Sequence, residues 1–215
     1  MRQSRLSSPP CFLELFDSSD EEEQPPYHLQ RWRQIQRHRL IDERLSLSPE
    51  IRGFYARQII EKLNQFLPIV KDLTVSGYWP CKGEPDLRPW LKSLHRGAGR
   101  AALPVVVAKN KPLDFRAWRD GDPLERGVWN ILHPAQGSDV LPDVIIAPLV
   151  GFDTSGYRLG YGGGYFDRTL AALENRPVIV GVGYGESKLR TIHPQAYDIP
   201  MDVVITQTEI LTFDR

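Results

Sequence analysis

The sequence predicts an α/β fold built on a mostly parallel sheet with helices covering both faces, and three observations carry that expectation. Strand-sized apolar runs alternate with helix-patterned segments along the 215 residues, the order that generates parallel strands joined by crossovers. A hydrophobic content of 41% suffices for one good core, so a single domain is expected. The glycine-rich stretch Gly151–Arg168 follows the apolar run Asp143–Val150, which places a backbone-rich loop beyond the carboxyl end of a buried strand, where ligands of such sheets bind.

Residues 1–26 combine serine, proline and the acidic run Asp20–Glu23, a composition that cannot offset ordering entropy, and a disordered tail is expected there. A basic helix follows over Tyr27–Leu45, with Leu29, Trp32 and Ile35 at helical spacing. Ser48-Pro49 reads as an N-cap with proline at the first helical position, opening a second helix whose apolar stripe is Ile51, Tyr55, Ile59, Leu63 and Phe66. Pro68 ends it. Thr74–Trp79 is β-branched and aromatic, hence a strand, and Pro80–Glu84 turns the chain into a helix over Asp86–Arg96. Ala102–Ala108 and Leu113–Trp118 are further strands, and Gly127–Pro134 leads into a polar loop. Asp143–Val150 is the central strand, Gly164–Leu173 a helix, Pro177–Tyr184 a strand whose glycines permit close backbone approach, and Asp198–Thr206 ends in another.

The formal charge is zero, which gives no warrant for a nucleic-acid partner or an acidic membrane surface. Cys11 and Cys81 are far apart, so no disulfide framework is indicated and a reducing cytoplasm is expected. No apolar run is long enough to span a membrane.

The chemistry concentrates in Gly151–Arg168. Gly160, Gly162, Gly163 and Gly164 free the main chain to turn N–H groups toward an anion beside a helix start. Arg158 and Arg168 add charge-assisted donors, and Asp167 is suited to a magnesium ion that bridges phosphate oxygens. This is neither a P-loop, because Tyr165-Phe166 stands where lysine and a hydroxyl are required, nor a dinucleotide fingerprint, which needs an acidic ribose partner about twenty residues on.

The pattern Phe152-Asp153-x-x-Gly156-x-Arg158-Leu159-Gly160-x-Gly162-x-Gly164-Tyr165-Phe166-Asp167 resembles the signature of the 5-formyltetrahydrofolate cyclo-ligase family. Arg33-x-x-Gln36-Arg37, then Arg44 and Leu47-Ser48-Pro49-Glu50, resembles its opening motif. The resemblance implies a three-layer α/β/α fold of the NagB/RpiA/CoA transferase-like kind, and ATP- and Mg²⁺-dependent closure of a reduced formylfolate. It implies that ATP meets Arg33, Arg37, Arg158 and the loop from Leu159 through Tyr161 and Gly163 to Phe166. The folate would meet Trp79, Glu84 and Tyr161–Tyr165, with Glu84 accepting from the pterin's exocyclic amine and neighbouring N–H. Asp167 and Asp202 would hold the metal, Asp198 would cap or position the turn, and Arg158 and Tyr165 would act at the reacting centre.

Two positions depart from the family pattern. Arg33 stands in place of lysine, and Asn130-Ile-Leu-His133-Pro134 replaces Gly-Ile-x-Glu-Pro, with no catalytic role expected for His133. Those departures keep open a divergent member acting on another formylated or amide substrate. A silent folate- or nucleotide-binding module is a further reading, opposed by the retained Arg158, Asp167 and Asp202. A monomer is expected.

Overall fold

A computed structural model of the chain describes residues 26–214; the expected tail lies outside them except for Pro26, which opens the first helix. In chain order the elements are α1 (Pro26–Ser46), α2 (Pro49–Phe66), β1 (Thr74–Ser76), α3 (Arg88–Leu94), β2 (Arg100–Val105), β3 (Asp114–Trp118), β4 (Leu124–Arg126), β5 (Leu132–Pro134), β6 (Val144–Pro148), β7 (Gly151–Asp153), β8 (Arg158–Leu159), α4 (Tyr165–Ala172), β9 (Val178–Val182), β10 (Lys188–Leu189), β11 (Val203–Ile205) and β12 (Ile210–Thr212).

The main sheet has seven strands in the order β12-β11-β9-β6-β1-β2-β3. Its five inner strands are parallel, and both edges, β3 and β12, run antiparallel to their neighbours. The alternation of β-structure sorts side chains between the two faces. Val144 and Ile146 of β6, Val180 and Val182 of β9, and Val203 and Ile205 of β11 join Ile59 and Leu63 of α2 and Trp90, Leu91 and Leu94 of α3. Ile145, Ile179 and Val204 point the other way, to Leu170 of α4, Phe152 and Met201. Helices therefore cover both faces, as the pattern of the chain predicts.

Three local expectations are corrected. Gly127–Pro134, expected to lead into a polar loop, holds the tip (residues 127–131) and the second strand of the β4–β5 hairpin, with Trp129 and Asn130 both at positive φ. Gly181 makes room for side chains, since a Cβ there would collide with Met201 Sδ and crowd Leu149, and the neighbour it admits is not backbone. On α1 the buried face is Leu29, Arg33, Leu40 and Arg44, whereas Ile35 is 54% exposed. The stripe facing inward is thus largely cationic.

Its location explains this. Leu40 packs with Val150, Leu159 and Ile192 in a small third core, so α1 lies on the β7–β8 hairpin and the glycine loop instead of on the main sheet. α2 is an ordinary amphipathic helix by comparison. The Ser48 hydroxyl accepts from Ile51 N–H at its start, and Ala56, Ile59 and Leu63 are buried.

Candidate active site

β6 ends at Pro148 and the chain folds directly into the β7–β8 hairpin, whose turn is held by the buried Asp153. One Asp153 oxygen accepts from Ser155 and Tyr157 N–H, the other from Ile192 N–H. Beyond Leu159 come Gly160–Gly164, and Gly164 is the residue before α4, left-handed at φ 62° with no side chain capping the helix. Gly162 also has positive φ, 92°. The first N–H groups of α4 and the loop main chain are therefore arranged to receive an anion.

Cations surround this loop. Arg37 Nε donates to Gly160 O at 2.7 Å, and its guanidinium lies against Gly162. Burial, reinforced by Arg33, lowers the Arg37 pKa from its ordinary value, and a negative ligand at the loop would favour its charged form. Arg168 donates to Gly163 O and stacks over the Tyr165 ring at 5.0 Å. Arg168 Nε and Arg158 Nη2 are buried without a hydrogen-bond partner among the described residues. Unsatisfied guanidinium donors beside an uncapped helix start suit phosphate oxygens.

Arg158 and Arg33 are more deeply committed than the sequence suggests. Arg158 Nη2 lies 2.8 Å from Asp167 Oδ1, an ionic contact outside hydrogen-bond angles, and Arg158 Nη1 donates to Ile199 O at 3.2 Å. Burial lowers its pKa while Asp167, then Asp198, pull it back. Arg33 pairs with Asp198 and donates to the carbonyls of Ile192 and His193 at 3.1 and 2.8 Å. It anchors α1 rather than standing open for phosphate.

Each aspartate of the expected metal pair has a backbone partner. Asp202 immediately precedes β11; its Oδ2 accepts from Ile179 N–H at 2.7 Å and its Oδ1 is 3.9 Å from Arg176, past the far end of α4. Asp167 lies in the first turn of that helix and accepts from Ile199 N–H. Asp198, adjacent to Ile199 and acting on both Arg37 and Arg158, shares that end of the site. No cluster of three or more His, Cys, Asp or Glu side chains occurs among the described residues. Two carboxylates beside an anion-binding loop fit a magnesium ion completed by a ligand's phosphates.

A second focus lies at the turn after β1. Glu84 is buried, with Oε2 accepting from Cys81 N–H at 2.8 Å and Oε1 from the Tyr161 hydroxyl at 2.6 Å. Burial raises its pKa, and the Tyr161 and Cys81 donors oppose that rise. Tyr161 thus physically joins this turn to the glycine loop. Burial also pushes the Cys81 thiol up to about 11. Trp79 stacks edge-on with Trp118 at 6.2 Å, beneath Arg88, and lines a cleft of about 430 Å³ between α3 and the β3–β4 turn.

Tyr165 opens α4, and Phe166 is partly buried against the second core with Arg158 over its ring. Sequence reasoning missed Trp129, which reaches from the hairpin tip to meet Tyr165 edge-on at 5.4 Å. Nothing in its local pattern signals this. Arg44, buried and donating to Lys82 O, Leu149 O and Tyr161, received no role either, although the spacing Arg33, Arg37, Leu40, Arg44 marks one helical face. His133 sits on β5 beside Glu125 and Gly127, a structural placement.

Known proteins share the sequence pattern and the fold. A model of the 5-formyltetrahydrofolate cyclo-ligase family matches residues 29–207. The Escherichia coli K12 protein named 5-formyltetrahydrofolate cyclo-ligase is 32% identical over 176 residues, covering 78% of this chain and 96% of its own. The NMR structure of Aquifex aeolicus 5,10-methenyltetrahydrofolate synthetase is 30% identical, with a TM-score of 0.74 over 85% of this chain and 93% of that one. The Mycoplasma pneumoniae 5,10-methenyltetrahydrofolate synthetase, 24% identical, shares the fold at a TM-score of 0.68 over 81% and 98%.

Proposed function

The chain belongs to the 5-formyltetrahydrofolate cyclo-ligase family, and on that premise we propose that it converts 5-formyltetrahydrofolate and ATP to 5,10-methenyltetrahydrofolate, ADP and phosphate. The observation that carries the reading is the hydrogen bond from Tyr161, in the phosphate-type loop, to the buried Glu84. It brings an anion site and a carboxylate suited to a pterin's paired N–H donors into one continuous structure.

The chemistry asks for positioning and charge neutralisation. A formamide oxygen is a poor leaving group, so it takes the γ-phosphoryl group from ATP; N10 then attacks the formyl carbon, loses its proton, and the oxygen departs as phosphate. No protein nucleophile is needed. The loop N–H groups, Arg37 and Arg168 hold the triphosphate, and Tyr165 and Trp129 wall the reacting end. Arg158 keeps Asp167 oriented, and Arg33 does the same for Asp198. Magnesium held by Asp167 and Asp198 would supply charge neutralisation on the phosphates. Glu84 fixes the pterin, with Trp79 contacting the folate from its cleft.

The reading extends to a monomer that acts on a small molecule in a reducing cytoplasm, with residues 27–215 as one catalytic domain. Among the described residues no helix is long and apolar enough to cross a membrane, and the Cys81 thiol is unpaired. The decisive experiment follows methenyl absorbance with 5-formyltetrahydrofolate and Mg-ATP. ATP-dependent growth that Asp167→Asn abolishes is expected; a flat trace from folded, ATP-binding protein overturns the assignment.

A further inference from the structure

We propose that Arg44 and Tyr161 are positioning residues, a donor chain that aims Glu84 at the substrate ring and ties the folate turn to the glycine loop. This rests on the assignment of Glu84 to the pterin. The chain is short and fully specified. Arg44 Nη2 donates to the Tyr161 oxygen at 2.6 Å, and Tyr161 donates onward to Glu84 Oε1 at 2.6 Å. The other Arg44 nitrogens hold Lys82 O at 2.9 Å and Leu149 O at 3.0 Å. One guanidinium therefore pins the strand that delivers the loop, the turn that carries Glu84 and the loop's own tip.

A hydroxyl performs the middle step, accepting from a cation and donating to an anion through one atom, and here the Tyr161 phenol supplies it. Charge-assisted links of this kind strengthen one another in a desolvated setting. Glu84 has roughly four lone-pair sites. Tyr161 and Cys81 occupy one on each oxygen, which leaves two sites in fixed directions for a ring with adjacent N–H donors. The groups facing Glu84 are Arg44 from α1, Tyr78 and Cys81 from the β1 side, Tyr161 from the loop, and Tyr184 after β9. Arg44 is the cation among them, and Lys82 Nζ lies over the Tyr161 ring face, 5.4 Å from its centroid. Tyr161 is also flanked by Gly160 and Gly162, both against Arg37, so loop occupancy and the aim of Glu84 are mechanically linked.

The test is equilibrium binding of 5-formyltetrahydrofolate, measured by calorimetry across pH, to the full chain and to Glu84→Gln, Tyr161→Phe and the double variant. Tyr161→Phe is expected to weaken binding about tenfold and to move the acid limb of the binding curve to higher pH, because losing the hydroxyl removes a group that favours the carboxylate. The double variant should bind no more weakly than Glu84→Gln alone, since Tyr161 acts through Glu84. Arg44→Lys, which keeps the charge but loses the three-way fork, should shift the same limb, and serves if Tyr161→Phe fails to fold. Tyr161→Phe binding like the parent while Glu84→Gln is weakened overturns the relay and leaves the Glu84 assignment standing. Glu84→Gln binding like the parent removes both.

Discussion

α1 and α2 are consecutive helices of similar length, yet they dock by opposite means. α2 presses Ala56, Ile59 and Leu63 onto the sheet, an apolar seam with Ser48 closing its first turn. α1 presses Arg33 onto the carbonyls of Ile192 and His193 and the Asp198 carboxylate, Arg37 onto Gly160 of the glycine loop, and Arg44 onto the carbonyls of Lys82 and Leu149, with Leu29 and Leu40 as its apolar contacts. Apolar burial is non-directional and tolerates small shifts, whereas charge-assisted bonds hold only in one geometry. The first helix is therefore part of the site, and the second is part of the scaffold.

Arg33→Ala should break this comparison most severely. It strands Asp198 beside a buried contact, at a cost of about 3–5 kcal/mol to folding, read as a large drop in the midpoint of thermal unfolding with ATP binding lost alongside. Replacing both partners, Arg33→Met with Asp198→Leu, should recover much of that stability without recovering turnover. Stability and activity would then separate on one helix face. Leu63→Ala in α2 should cost about 2–5 kcal/mol in denaturant unfolding while kcat of the folded fraction stays within a factor of about two; an equal fall in kcat would place α2 within the site.

Glu84 gives a smaller, signed effect. Its folded pKa is raised, so between the unfolded and folded values the folded chain holds a proton the unfolded chain has released, and stability declines as pH rises through that window. Glu84→Gln should flatten this part of the stability profile; an unchanged slope would show that the carboxylate is not the source. Ser48→Ala is the mildest, about 1 kcal/mol from the lost cap, visible in the melting midpoint and silent in folate and ATP binding.

The parallel strands, the capped α2 and the glycine loop were legible because each is written in local signals: continuous apolar runs along β6 and β9, Ser48 before Pro49, glycines where φ turns positive at Gly162 and Gly164. The antiparallel edge β12 and the β4–β5 hairpin were not, because both are short and pair with strands whose position only the closed sheet defines. The resemblance named Glu84, Arg37, Asp167, Asp202 and the loop as site residues and left Asp198 to cap or position the turn. Asp198 and Asp202 are both near a strand start, separated by four residues, and spacing alone cannot say which one turns toward Arg33.

The sequence by itself determined where the backbone could turn, which residues could reach the core and which loop could hold an anion, since these follow from periodicity and allowed φ. Only the tertiary structure decided which buried charges meet. Arg33 finds Asp198 across 165 positions and Arg44 finds Tyr161 across 117, and such pairs are selected by the desolvation each charge must have offset, a condition set by the whole fold and by no segment of it.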